Sequence, residues 1–536
     1  MDIARLIEAL SHPSAYPGSP DEVQVRQTHI SVVFLAGRYA YKIKKPVSLG
    51  FLDFRTLEAR RHFCIEEVRL NRRLAPAIYH GVVPITQSDD QWDAGPTEGL
   101  RLGGSGEVVE WAVQMERLPE EATLLSRLRC RQLTHESIER LARHIAAFHA
   151  SAETSRHIAT FAQFDAVAAN IHDNLEVPLA EVARLVHRSV LERLRAHMEE
   201  TLAQQRPLIE SRAARGIPRD THGDLRLEHI YLFPEKQPPN DLIIIDCIEF
   251  NERFRYADPV ADVAFLVMDL QFEGRRDMAQ TFVDAYFRAT GDEEGRALLP
   301  LYLAYRSTVR AKVDGIKCME REIPESERIV AYQRARAHWL LALGELEQAN
   351  RKPCLVLLSG LPGSGKSTLA QKLAEHTSFH ILRSDVIRKE LAKSAGIPFS
   401  PSTPVIYTPE WTAKTYAECL RRTEELLFAG ERVLVDATFR EERWRQAFLT
   451  AAVRWGVPAV LLLCHADPDI VRARLEGRQH DVSEADWQVY QSLAQSWQEI
   501  SDFTRPFLHE ISSGGSAEET LAQGLQVLQA TGLYSE

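Results

Sequence analysis

Short runs of β-branched and aromatic residues near the start, long helical stretches through the middle and a regular strand–helix alternation toward the end divide this chain into three kinds of pattern. A short amphipathic helix leads into a loop from Pro13 to Pro20 that proline, serine and glycine punctuate. Thr28 to Leu35 and Arg38 to Lys44 read as two strands joined by a tight turn at Ala36-Gly37. Residues 56 to 74 carry helical periodicity through Leu57, Phe63, Val68 and Leu70, and Val108 to Pro119 predict a strand running into an extended linker. From about 121 to 215 the pattern is mostly helical, including Ile138 to His149 and Ser189 to Leu208, and it is helical again from 261 to 345. The polar stretch Leu346 to Lys352 reads as a short linker, so two domains are expected, 1–345 and 351–536.

Beyond the linker the alternation is regular. Apolar runs at 353–358, 379–385, 432–439 and 458–464 alternate with helical stretches at 386–393, 408–429 and 441–455; a strand at 507–511 and a helix at 517–529 follow. Such βα alternation predicts a parallel, doubly wound sheet. Its first strand passes directly into Gly360-Leu361-Pro362-Gly363-Ser364-Gly365-Lys366-Ser367-Thr368 and then a helix, the context that a P-loop requires. Gly360, Gly363, Ser364, Gly365 and Thr368 belong to a loop whose amides would cradle phosphates at a helix N-terminus. Lys366 would reach the β- and γ-phosphates, and Ser367 would hold Mg²⁺.

Length and composition constrain the rest. A chain of 536 residues exceeds what one core serves, and 45% hydrophobic with 26% charged residues is ordinary for a globular protein. A net charge of −11 argues against a nucleic-acid partner. Seven scattered cysteines without a Cys-x-x-Cys pair point to a reducing compartment. No apolar run is long enough to span a bilayer and the first residues are charged, so a cytoplasmic protein is expected.

In the first region Lys42 and Lys44 share one face of a strand, and Glu66 and Glu67 lie within the following helix. These residues read equally as solvated charges or as the strand-lysine and helix-glutamate pair with which kinases hold the α- and β-phosphates. Farther along come Thr221-His222-Gly223-Asp224-Leu225, then Glu228-His229, then the apolar run Leu242 to Ile245 ending in Asp246. These segments resemble the catalytic and metal-binding segments of the aminoglycoside phosphotransferase family, relatives of the protein kinases. The resemblance implies a bilobal protein-kinase-like fold, with an adenine-binding hinge at the extended linker into which the strand Val108 to Pro119 leads. It further implies Asp224 as the base for the acceptor hydroxyl, Asp246 as a Mg²⁺ ligand, Lys42 as the strand lysine and Glu67 as its partner. By the same resemblance Asp258 and Asp262 are scaffold. The family places asparagine, a second metal ligand, where this chain has His229; either Glu228 or water takes that role, or the lobe is a nucleotide-binding sensor with weakened catalysis. There is no Gly-x-Gly-x-x-Gly loop, and Thr28-His29-Ile30-Ser31 is the segment that would cover the phosphates. Arg306, Arg310 and Lys312 read as a solvated helix face, or as a contact to an anion or to the second domain.

In the second region Ser384-Asp385-x-x-Arg388 resembles the acceptor site of the polynucleotide kinase and zeta-toxin group of P-loop kinases. That implies Asp385 as general base and Arg388 as an acceptor-orienting residue; the alternative is Asp385 as a helix N-cap. Asp436, at a strand end, reads as a second Mg²⁺ holder or as a capping carboxylate. Arg472, Arg474 and Arg478 fall in the segment that closes on the transferring phosphate in those kinases, or else are solvated. The expectation is therefore a bifunctional ATP- and Mg²⁺-dependent phosphotransferase acting on small-molecule hydroxyls, the alternative being a P-loop ATPase switch governed by a sensing first domain.

Overall fold

The computed structural model describes residues 2–50, 52–87, 99–176, 185–238, 240–320, 323–397, 404–477 and 486–536. It contains two compact units, one comprising Met1–Val167, Arg206–Leu270 and Arg276–Ala297, the other Ala168–Gln205, Gln271–Arg275 and Leu298–Glu536.

The first unit holds a six-stranded antiparallel sheet of β1 (Val23–Gln27), β2 (Ser31–Ala36), β3 (Tyr39–Lys44), β4 (Tyr79–Gln87), β5 (Leu100–Leu102) and β6 (Glu107–Glu116), in the order β1-β2-β3-β6-β4-β5. The predicted hairpin is β2–β3, with Gly37 at φ +61 in its turn. β1 was not expected, since its polar residues Gln24, Arg26 and Gln27 leave no apolar alternation beyond two valines. The sheet is covered on both sides. Val32, Phe34 and Ile43 pack with Leu6 and Leu10 of helix α1 (Ile3–Leu10), whereas Ala40, Val113 and Met115 pack with Cys64 and Val68 of α2 (Leu57–Asn71). Because side chains alternate, Lys42 and Lys44 share the Ala40 face and so point toward α2. Residues 230–232 and 242–244 form a small antiparallel hairpin carrying the segments that lead to Asp224 and Asp246. Helices α3 (His135–Ser151), α5 (Pro259–Phe272) and α6 (Arg276–Thr290) supply much of the remaining core of this unit.

The second unit is built on a five-stranded parallel sheet, β7 (Cys354–Ser359), β8 (Phe379–Arg383), β9 (Arg432–Asp436), β10 (Ala459–His465) and β11 (Leu508–Ser512), in the order β8-β9-β7-β10-β11. Cys354, Val356 and Leu358 pack on Leu369, Leu373, Leu521 and Leu528, while the alternate Leu355 and Leu357 are equally buried. The centre of the sheet is therefore covered on both faces, as the apolar strands β7 and β9 require.

The units do not divide at 345–351. Helices α7 (Leu299–Met319) and α8 (Glu325–Leu346) belong to the second unit, as does most of α4 (Arg188–Ala214). The reason is close packing. A Cβ on Gly456 would lie 2.9 Å from the Ala337 carbonyl of α8, and Arg193 of α4 donates to Glu347 and to the Gly430 carbonyl at 2.9 Å. The polar stretch at 346–352 marks a helix end rather than a boundary. Nor do Arg306, Arg310 and Lys312 form a simple solvated face: Arg306 is buried, Arg310 pairs with Asp314 and Lys312 donates to the Asp173 carbonyl. Among the described residues no helix is long and apolar enough to cross a membrane.

Candidate functional site

The P-loop takes its shape from three glycines. Gly360, Gly363 and Gly365 have φ of +140, +80 and +81, a region in which side chains are strained. Gly363 also admits helix α12 (Pro468–Glu476), because a Cβ there would stand 2.8 Å from Val471 and 3.2 Å from Leu475. Gly365 caps α9 (Lys366–His376), so the loop amides lie at the positive end of that helix. Lys366 is buried and donates to the Leu361 carbonyl at 2.8 Å, while Thr368 is exposed on the first turn. Ser367 Oγ donates to Asp436 Oδ2 at 2.6 Å. A serine hydroxyl and a strand-end carboxylate in direct contact are hard oxygen donors, the kind Mg²⁺ takes. Among the described residues no group of three or more His, Cys, Asp and Glu side chains is placed to hold a metal, so an ion here would share its ligands with phosphate and water.

Asp385 belongs to the same edge. Arg383 of β8 stands in register with Asp436 of β9, and Leu358 of β7 pairs with Asp436 from the other side. Asp385 follows two residues later, half-buried in the first turn of α10 (Ser384–Ser394), so it and Asp436 sit at the C-terminal ends of neighbouring strands. It is not the N-cap, which is Arg383. Arg388 is buried, with Nη1 donating to the Ile406 carbonyl at 2.7 Å, and so it also anchors the segment before α11 (Pro409–Phe428). The candidate arginines separate. Arg472 turns outward to Glu476. Arg474 donates from Nη2 to the Ser513 carbonyl at 2.7 Å, with its buried Nη1 beside Gly365. Arg478 lies outside the described residues.

The first unit assembles its own cluster. Lys42 Nζ lies 2.9 Å from Glu67 Oε1 and 2.6 Å from Asp246 Oδ1, so the strand lysine, helix glutamate and loop aspartate meet. Glu66, by contrast, forms a surface pair with Arg69. Burial opposes the charge on Asp246, yet Lys42 foremost and His229 after it hold that carboxyl well below its usual range. Its side chain is 42% exposed, so solvent screens part of this attraction. Glu67 is fully buried and still held below the ordinary value, because Lys42 and Lys44 outweigh its desolvation. His229 Nδ1 donates to the Asp224 carbonyl at 2.9 Å; Nε2 then faces Asp246 Oδ2 at 3.6 Å and Glu228 Oε1 at 3.8 Å. Asp224, His229 and Asp246 are thus brought together. The loop bearing Asp224 is held by Asp262, which accepts from the amides of His222 at 3.1 Å and Gly223 at 2.8 Å. Asp258 is gripped by Arg212 at 2.6 and 3.0 Å, so both aspartates serve as scaffold. Thr28 to Ser31 is the β1–β2 turn, with the Ser31 amide donating to Thr28 Oγ1 at 3.0 Å.

Several participants carried no recognisable sequence signal. Tyr79 Oη accepts from the Asp246 amide at 3.3 Å and Asn71 Oδ1 from the Cys247 amide at 2.9 Å. Ser513 Oγ donates to the carbonyls of Ser364 at 2.7 Å and His465 at 2.9 Å. Lys44 and Glu249 bind one another in the interior; only the shared strand face of the two lysines hinted at the first.

Comparison with known proteins bears on this geometry unevenly. A family model described as an AAA domain matches residues 355–499, which include the P-loop, Asp385, Asp436 and Arg474, and so the second unit contains a P-loop nucleotide-binding domain. A solved gluconokinase from Sinorhizobium meliloti 1021 is 17% identical, covering 34% of this chain and 95% of its own, with a TM-score of 0.27. A sugar kinase from a Janibacter species is 16% identical over 34% of this chain and 99% of its own, with a TM-score of 0.26. Two relatives extend much farther, the uncharacterized proteins Rv2004c of Mycobacterium tuberculosis and Mb2027c of Mycobacterium bovis. Each is 31% identical over 507 residues, 94% of this chain and 95% of the relative. With that identity sustained along nearly its whole length, the chain belongs to the family of these mycobacterial proteins.

Proposed function

We propose that this protein is a cytoplasmic, ATP- and Mg²⁺-dependent phosphotransferase that moves a γ-phosphoryl group to hydroxyls of small molecules, with one site in each unit. The observation that carries the reading is the Ser367–Asp436 contact of 2.6 Å at the foot of the P-loop, with Asp385 on the adjoining strand end. Bound Mg²⁺ would draw charge from the β- and γ-phosphates and shield the phosphorus from repulsion. Ser367 and Asp436 would hold that ion, and Lys366 and Arg474 would offer their charge to the phosphate oxygens. Asp385 accepts the proton as the acceptor oxygen bonds to the γ-phosphorus and the bond from that phosphorus to the oxygen of the departing nucleoside diphosphate breaks. Arg388 orients the acceptor.

In the first unit the Lys42–Glu67 and Lys42–Asp246 pairs support a lobe of aminoglycoside phosphotransferase type. Lys42 would hold the α- and β-phosphates, Asp246 the metal, and Asp224 would take the acceptor proton. His229 offers Nε2 where that family has an amide, a difference that bears on rate and metal choice rather than on the arrangement of the other groups.

Incubation with γ-labelled ATP, Mg²⁺ and a metabolite extract tests the reading beside Lys366→Ala, Asp385→Asn and Asp224→Asn. Two products, one lost with Asp385→Asn and the other with Asp224→Asn, are expected. Phosphate release that survives Asp385→Asn, with no labelled product from the intact protein, would refute phosphotransfer and favour an ATPase switch.

A further inference from the structure

Glu67 lies between two lysines. Its Oε1 faces Lys42 Nζ at 2.9 Å, and its Oε2 accepts from Lys44 Nζ at 2.8 Å. Lys44 also binds Glu249 Oε1 and stands 5.2 Å from the centre of the Phe54 ring. Asp246, Lys42, Glu67, Lys44 and Glu249 thus form one chain of alternating charge, whose ends lie three residues apart on the segment 246–249. Lys44 is 1% exposed and Glu67 0%. An ion pair buried this deeply adds little net stability over apolar packing of the same volume, so its placement points to geometry. The terminal torsion of a glutamate is broad, and a carboxylate with one partner swings freely. Here each oxygen has its own ammonium. The same helix also reaches the segment through Asn71, which donates to the Glu67 carbonyl at 2.9 Å and accepts from the Cys247 amide at 2.9 Å. Asp246 itself is held at φ +64, which residues other than glycine adopt rarely.

We propose that Lys44 is a positioning residue for the first unit's nucleotide site: it fixes the Glu67 carboxylate so that Oε1 meets Lys42, and through Glu249 it ties α2 to the segment carrying Asp246. The proposal rests on reading that unit as a nucleotide site. It makes the Lys42–Glu67 pair a built-in feature of the fold that no separate activating event has to assemble.

The test uses the full chain carrying Lys366→Ala, so that MgATP titration reports the first unit. Lys42→Ala in that background checks the underlying reading, and Lys44→Met tests the proposal. Since Lys44→Met leaves Glu249 buried without its cation and removes one of the two cations of Glu67, the double variant Lys44→Met/Glu249→Gln is measured with it. Melting temperature and hydrogen exchange of peptides 57–71 and 246–250 are followed in each. MgATP affinity in the double variant should fall by about tenfold or more, with faster exchange in both peptides and an intact fold, since small misplacements at such sites are costly. Affinity unchanged in the double variant, while Lys42→Ala abolishes binding, overturns the proposal and leaves Lys44 a structural ion pair. Binding insensitive to Lys42→Ala defeats the underlying reading instead; exchange unaltered in the double variant would then also remove the tie between α2 and 246–249.

Discussion

Gly360→Ala should be far more damaging than its single methyl group suggests. Gly360 has φ +140, a conformation almost confined to glycine, and holding alanine there costs about 1–3 kcal/mol. Its Cβ would stand 2.4 Å from the Cys464 carbonyl and 2.8 Å from Ser364 Oγ. Cys464 cannot retreat, because its backbone lies in β10, a strand paired to β7 on one side and β11 on the other. Forcing an extra methyl into such a site costs a further ~1–3 kcal/mol, for a total of about 2–6 kcal/mol. Gly396 is the control: its φ is +70 but nothing lies within 4 Å of a Cβ built there, so Gly396→Ala should cost only about 1–2 kcal/mol of backbone strain. A denaturant midpoint is a poor measure in a two-unit chain, so the assay is hydrogen exchange of a peptide spanning Cys354–Ser359, in which each ~1.4 kcal/mol appears as a tenfold rise in opening. Gly360→Ala should exceed Gly396→Ala by about fivefold or more, the equivalent of the ~1–3 kcal/mol contact cost, and should also lose MgATP binding at the P-loop. Equal effects of the two substitutions would refute the reasoning, for they would show that β10 yields and that φ alone sets the cost.

Two other predictions concern charges held inside each unit. Arg212 is 1% exposed and donates to both oxygens of Asp258 and both of Asp292, so Arg212→Ala leaves Asp258 buried without its cation and should destabilise the first unit by about 3–5 kcal/mol, read as faster exchange across Pro259–Phe272; a change below ~1 kcal/mol contradicts it. Burial pushes the Glu442 carboxyl up, but Ser501, Thr504 and Arg445 donate to it and bring it below the usual value near 4.5. A depressed folded value means that Glu442 stabilises the second unit fully above about pH 4.5 and loses that contribution as pH falls through the folded value. Protection of the helix Glu442–Arg454 against hydrogen exchange, corrected for the intrinsic rate, should therefore fall more steeply below that pH in the parent than in Glu442→Gln, and parallel profiles would show that this carboxylate does not drive the acid response.

Local chemistry made the P-loop legible. The spacing from Gly360 to Lys366 and Ser367, set between an apolar strand and a helix, involves residues so close in sequence that no other part of the chain has to be known. Asp224 and Asp246 drew attention through their flanking residues alone, and the structure brings both beside His229. Alternating apolar runs and helical stretches foretold the parallel sheet because its central strands β7 and β9 are buried at every position, whereas the edge strands β8 and β11 are only partly covered. Arg474 was legible only as one of three candidates. The packing of Val471 and Leu475 on Gly363 is what turns α12 so that Arg474 approaches the loop while Arg472 leaves it.

By itself, then, the sequence determined the elements whose instructions are short-range: the glycine-shaped loop, the strand–helix alternation and the hairpin that sets Lys42 and Lys44 on one face. Only the tertiary structure decided which distant groups meet. Ser367 finds Asp436 across 69 residues of chain, and Lys44 finds Glu249 across 205. It also decided that α7 and α8 belong with the P-loop sheet, against the polar stretch that suggested a boundary after them. The physical reason is the same in each case. Periodicity and turn chemistry record which face of an element is buried, whereas the partner that buries it is chosen by packing among elements far apart in the chain.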